Sequence, residues 1–134
     1  SEDEREQQSR ALLNYGHTFA HAIEALSGYE GINHGEAVAI GMGMAADLGV
    51  KLGMTEDELV PRQDALLKGL GLPTHWAGHS ATAEEVLRVM LRDKKTQSGE
   101  LRLILPEKIG RAEIVSGVDQ ERVLDAVRGR YDQS

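Results

Sequence analysis

Apolar positions recur at helical spacing over most of the chain. Across residues 7–27, Leu12, Tyr15, Phe19, Ile23 and Leu26 fall within roughly 40° of one line at 100° per residue, which predicts an amphipathic helix with this stripe on the core. Gly28 ends it, and residues 29–33 make a short connection. From 35 to 51 the apolar side chains run nearly all round, predicting a buried helix. Gly41, Gly43 and Gly49 each cost that helix about 1 kcal/mol relative to Ala, a cost that makes sense where another backbone or a ligand comes close. Thr55 with Glu58 reads as a capping box opening a third helix, which Pro61 divides or restarts before an exit at 69–73. A second box, Thr82 with Glu85, opens a helix carrying Val86, Leu87, Val89, Met90 and Leu91, and the polar stretch 93–100 follows as a loop.

Beyond residue 100 the period changes. Leu101, Leu103 and Leu105 alternate with Arg102 and Ile104, and 112–115 supplies a second extended segment across a turn at 106–110. Asp119 then caps a last helix with Val123, Leu124, Ala126 and Val127 on its buried side. The expected fold is mainly α: one multi-helix domain over 1–134 with a small β-hairpin near residues 101–116, and no internal repeat or linker.

Composition agrees with a helical core. Hydrophobic residues make up 40% of the chain but aromatic ones only 4%, so the interior is built from Leu, Ile, Val, Ala and Met. A formal charge of −7, with no basic run longer than Arg92-Asp93-Lys94-Lys95, argues against nucleic acid as a partner. A small anion remains possible where a few cations converge. The absence of cysteine removes disulfides and thiolate metal sites, so any metal falls to His, Asp or Glu; a cytoplasmic setting is compatible with this. No stretch of about 18 apolar residues offers a membrane span, and the acidic start is unlike a signal peptide.

The side of the first predicted helix opposite its apolar stripe carries the candidate chemistry. Arg10, Asn14, His17 and His21 stand at about 0°, 40°, −20° and 20°, a single ridge where a solvated helix more often shows Glu and Lys. Such a ridge can also be a polar face touching water or a neighbouring helix. His34 weighs against that, because it opens the buried second helix, where an antiparallel return brings it back toward the first. Three imidazoles without cysteine suit a borderline divalent ion such as Zn²⁺, whose catalytic sites commonly have three protein ligands and an open position. His17 and His21 can chelate one ion at i and i+4, or one of them can join His34. Glu36 is a third ligand, a supporting partner, or a carboxylate stabilising the first turn of its helix.

Other features read differently. Gly41-Met42-Gly43-Met44-Ala45-Ala46 matches G-x-G-x-x-A, but no second βαβ unit follows and no acidic residue closes a strand about 20 positions on. Tight helix packing explains these glycines better. His75 and His79, flanking Trp76, read as structural or exposed.

The segments 10–24 (RALLNYGHTFAHAIE) and 34–42 (HGEAVAIGM) closely resemble the two strongest motifs of 3-dehydroquinate synthases. Gly71-Leu72-Pro73, Asp93-Lys94-Lys95, the 99–106 segment, Ile109-Gly110 and the closing helix continue the resemblance in order and spacing. It implies the metal- and substrate-binding C-terminal domain of such an enzyme, without its NAD-binding α/β half, and hence no catalysis by this piece alone. It further implies that His17 and His34 bind catalytic zinc or cobalt, with a third ligand, a glutamate, from a preceding segment. Arg10 would pair with the substrate carboxylate, Asn14 with ring hydroxyls, and His21 with Lys94 or Lys95 would hold the phosphate, roles that suit a guanidinium fork and point-like donors. A homodimer is also implied. Two alternatives stand beside it: a relative that cyclises another sugar phosphate, and a free-standing helical metal-binding module without catalysis.

Overall fold

The computed structural model describes residues 15–27, 31–77, 81–94, 101–108 and 110–131. Within them lie five helices and one hairpin: α1 (His17–Ser27), α2 (His34–Lys51), α3 (Leu59–Gly69), α4 (Ala83–Lys94), β1 (Arg102–Lys108), β2 (Arg111–Ser116) and α5 (Gln120–Arg128). The mainly helical expectation and the hairpin are both met. Helix α2 is the axis of the fold, packing against α1, α3, α5 and β1, while α4 closes over α1 and α5. None of the described helices is long and apolar enough to cross a membrane.

The first helix differs from its prediction. Gly16 has φ +87°, in the left-handed region that an α-helix cannot contain, so Tyr15 and Gly16 form a turn and α1 begins at His17. A single unbroken helix through Gly16 is therefore ruled out. Arg10, Asn14 and Leu12 lie outside the described residues. The apolar stripe holds where it is described: Phe19 and Ile23 are fully buried, and Tyr15 and Leu26 pack on the same core.

Helix α2 is buried nearly all round, as expected from its sequence. Its glycines each admit a neighbour. A Cβ on Gly41 would stand 2.3 Å from the Gly16 carbonyl oxygen, one on Gly43 would stand 2.9 Å from Cζ of Arg130, and one on Gly49 would overlap Thr55. The G-x-G-x-x-A spelling thus marks close packing inside a helix rather than a phosphate loop. The helix opens on Asn33, whose Oδ1 accepts from the Glu36 N–H at 2.8 Å while Glu36 Oε1 accepts from the Asn33 N–H at 2.9 Å. Among the readings of Glu36, this capping box selects the helix-stabilising one.

Two local expectations are corrected. Thr55 does not cap α3: its hydroxyl donates to the Pro106 carbonyl, and the N-cap position falls to Glu58, which makes no side-chain cap bond. Pro61 lies in the first turn of α3 and leaves it undivided, because proline's missing N–H costs nothing there. The β-turn is also shorter than 106–110. Strand β1 runs through a register irregularity to Lys108, and Gly110 (φ +86°) makes the reversal. The remaining caps stand as predicted: Thr82 with Glu85 on α4, and Asp119 accepting from the Glu121 N–H on α5.

The C-terminal end is fixed by a buried guanidinium. Arg130, with its side chain 4% exposed, donates through Nε and Nη2 to Asp47 of α2 at 2.6 and 2.9 Å, and through Nη1 to Asp64 of α3 and the Thr74 carbonyl at 3.1 Å. Burial alone would lower its pKa, but the two carboxylates more than offset this and hold it charged. The backbone N–H of Trp76 donates to the Arg130 carbonyl, and the Trp76 ring meets Tyr131 edge-on.

Candidate metal centre

Histidines come together where α1 and α2 begin. Two constraints bring them there. The glycine contact between Gly16 and Gly41 lets the start of α1 lie directly on the backbone of α2, and the Asn33–Glu36 box fixes the backbone at His34. On α1, His17 and His21 are one turn apart, and Glu24 continues the same face at i+7, about 20° from the His17 direction.

The three rings are close but not equivalent. His17 and His21 stack, with centroids 6.3 Å apart and planes 15° from parallel. His17 and His34 are 6.1 Å apart with planes tilted by 49°. A nitrogen lone pair lies in the plane of its ring, so stacked imidazoles aim theirs side by side, whereas tilted ones can converge on a point. With Zn–N distances of about 2.0–2.1 Å, two imidazoles sharing an ion keep their ring centres roughly 5–6 Å apart. The 6.1 Å separation of His17 and His34 lies just outside that range. Imidazole donors suit a divalent ion, and by ring tilt alone His17 and His34 are better disposed to share one than His17 and His21.

His34 Nδ1 lies 3.0 Å from Glu24 Oε1; the His34 side chain is 64% exposed and that of Glu24 13%. Glu24 lies one step beyond the four residues of the sequence ridge. Extending the same angular count by one more turn from His21 would have found it. Among the described residues, no group of three or more His, Asp or Glu gathers as a complete metal-binding set.

Lys94 is the last residue of α4, and Arg10, Asn14 and Lys95 lie outside the described residues. His75 is exposed and hydrogen-bonded to Thr74, consistent with its reading as a non-ligand, and His79 lies outside the described residues.

Comparison with known proteins adds an independent line. The profile of the 3-dehydroquinate synthase C-terminal family matches residues 1–96. A 3-dehydroquinate synthase of Rhodopirellula baltica is 46% identical over 134 residues, 99% of this chain and 35% of that protein. One from Crocosphaera subtropica is 44% identical over 131 residues, 96% of this chain and 36% of that protein. The chain thus spans about a third of the length of these relatives. Among solved structures, a 2-deoxy-scyllo-inosose synthase complexed with carbaglucose-6-phosphate, NAD⁺ and Co²⁺ superposes with a TM-score of 0.78 at 23% identity, covering 96% of this chain and 37% of that one. A 2-epi-5-epi-valiolone synthase from Streptomyces hygroscopicus with NAD⁺ and Zn²⁺ bound gives 0.74 at 26% identity, covering 88% and 32%.

Proposed function

This chain belongs to the 3-dehydroquinate synthase C-terminal family, and from that premise we propose that it supplies the metal- and substrate-binding part of an enzyme converting 3-deoxy-D-arabino-heptulosonate 7-phosphate to 3-dehydroquinate and phosphate, a step of the shikimate pathway to aromatic amino acids. The observation that carries the reading is the tilted His17–His34 pair at the joined ends of α1 and α2. His17 and His34 would hold Zn²⁺ or Co²⁺, with a glutamate from a segment outside this chain completing the usual three ligands. When bound, the ion supplies Lewis acidity toward substrate oxygens.

The chain's own residues bind and orient. The Arg10 guanidinium suits the substrate carboxylate, to which it can donate two parallel hydrogen bonds, and Asn14 suits ring hydroxyls. His21, on the face of α1 shared with His17, is the donor for phosphate, together with Lys94, the last residue of α4, or with Lys95; α4 packs against α1. NAD would be held mainly by an α/β half outside this chain, and the enzyme would be cytoplasmic and homodimeric.

The solved relatives, named as synthases of other products, keep a second reading open, cyclisation of a different sugar phosphate. Identities of 44–46% to 3-dehydroquinate synthases, against 23–26% to those cyclases, favour the first. Assay of the intact protein with NAD⁺ and Zn²⁺ or Co²⁺ separates them: turnover of the heptulosonate phosphate is expected, and conversion of only another sugar phosphate would sink the proposal. For the site, His17→Ala and His34→Ala are expected to abolish bound metal by elemental analysis, while His21→Ala keeps the metal and raises KM. Metal lost from His21→Ala but kept by His17→Ala would reverse the assignment.

A further inference from the structure

The polar face of α1 ends on a carboxylate that the reading above leaves without a task. Glu24 keeps only 13% of its side chain exposed, yet its Oε1 reaches out to Nδ1 of His34, whose ring is 64% exposed. With its imidazole in solvent, such a His–Glu pair contributes at most about 1 kcal/mol to stability. Its stronger effect is on the ring itself. An ionised carboxylate only accepts hydrogen bonds, so a neutral His34 bonded to it carries its proton on Nδ1 and its lone pair on Nε2.

We propose that Glu24 is the positioning residue of His34, fixing the tautomer and ring rotation that present Nε2 to the divalent ion shared with His17. The inference rests on the reading of His34 as a ligand. Two features of the site support it. Of the two rings near His17, the one held by Glu24 is the one tilted by 49°, while His21 lies stacked at 15°. The Asn33–Glu36 box already fixes the backbone at His34, so the side-chain torsions are what remain to be set, and Glu24 is the group placed to set them. Carboxylates that orient a metal-bound imidazole in this way commonly govern affinity without touching the ion.

The test is Co²⁺ affinity of the intact protein, read from the visible absorption of the bound ion, for the parent, Glu24→Ala, Glu24→Gln and His34→Ala. Glu24→Ala is expected to weaken binding about 10- to 100-fold. Glu24→Gln, whose amide oxygen still accepts from Nδ1–H in nearly the same shape, is expected to recover most of it. Nitrogen-15 shifts of the His34 ring in the metal-free protein should report the proton on Nδ1 in the parent and the Gln variant, and a shift toward Nε2–H in the Ala variant. Parent-like Co²⁺ binding or an unmoved tautomer in Glu24→Ala, with binding lost in His34→Ala, overturns the positioning role and leaves the ligand in place. A Gln variant as weak as the Ala variant overturns it as well, since charge rather than orientation would then be at issue. Parent-like binding by His34→Ala overturns the ligand assignment itself.

Discussion

The guanidinium of Arg130 and the imidazole of His34 both flank an apolar run, and the fold treats them in opposite ways. Arg130 is 4% exposed, and each of its three nitrogens donates to an acceptor of this chain, on α2, on α3 or at Thr74. His34 is 64% exposed and meets one carboxylate, through Nδ1. The first cluster is self-contained: every guanidinium nitrogen is matched by a carboxylate or carbonyl of this chain. The second is open, with three imidazoles near one another and no complete ligand set among the described residues. A buried charge must be matched inside the fold, whereas a binding group must keep something unmatched for its ligand. Chemistry in this chain is therefore expected at α1 and α2, and stability at Arg130.

Arg130→Ala offers the largest test of that contrast. Removing it strands Asp47 and Asp64 beside each other, and breaking a buried pair in this way costs about 3–5 kcal/mol. Urea denaturation should show a loss of that size. His34→Ala, at an exposed position, should change stability by no more than about 1 kcal/mol while removing bound metal. Equal losses of stability from the two substitutions would erase the distinction.

The sequence showed one cluster far better than the other. His17, His21 and His34 are rare residues at informative spacings, and a count of angles brings them forward. Nothing in the local pattern around Arg130 announces a buried cation, because its partners, Asp47 and Asp64, are 83 and 66 positions away. Helix periodicity and the Thr82–Glu85 box were legible because they are local. Thr55 was misread because its hydroxyl is claimed by Pro106, 51 residues on, where a tertiary contact outweighs the capping option. The break at Gly16 was missed because a glycine within an apolar rhythm looks like a small helical residue until α2 is seen lying against it.

Gly41 and Gly43, two positions apart on α2, sharpen the comparison at intermediate cost. Alanine favours a helix by about 1 kcal/mol over glycine, so the contact met by the new Cβ decides the sign. At Gly41 that atom would stand 2.3 Å from the Gly16 carbonyl oxygen, and backbone has to give way. At Gly43 it would meet the Arg130 guanidinium at 2.9 Å. Both substitutions are expected to destabilise by about 1–3 kcal/mol, the usual range for overpacking. They should part in metal binding: Gly41→Ala displaces the start of α1 and with it His17, so Co²⁺ affinity falls, while Gly43→Ala loosens the clamp and leaves that affinity near the parent value.

Tyr15 sits between the two regions and supplies the smallest effect. It immediately precedes the Gly16 turn that leads into His17, and its hydroxyl donates to Oε1 of Gln63, the residue before Asp64 of the clamp. Burial pushes its phenol up to about 12. A group whose pKa is raised by folding stabilises the fold fully below its unfolded value, near 10 for tyrosine, and that contribution fades as pH rises through the folded value. Between pH 10 and about 12 the protein should therefore lose stability through Tyr15. Tyr15→Phe is expected to cost about 1 kcal/mol at neutral pH, the worth of one hydrogen bond, and to flatten the alkaline slope. Denaturation midpoints of the two proteins, compared across that range, check both. If the bond couples the regions rather than merely joining them, Tyr15→Phe will also weaken Co²⁺ binding; if the glycine contact alone positions His17, metal affinity will hold while the alkaline slope disappears.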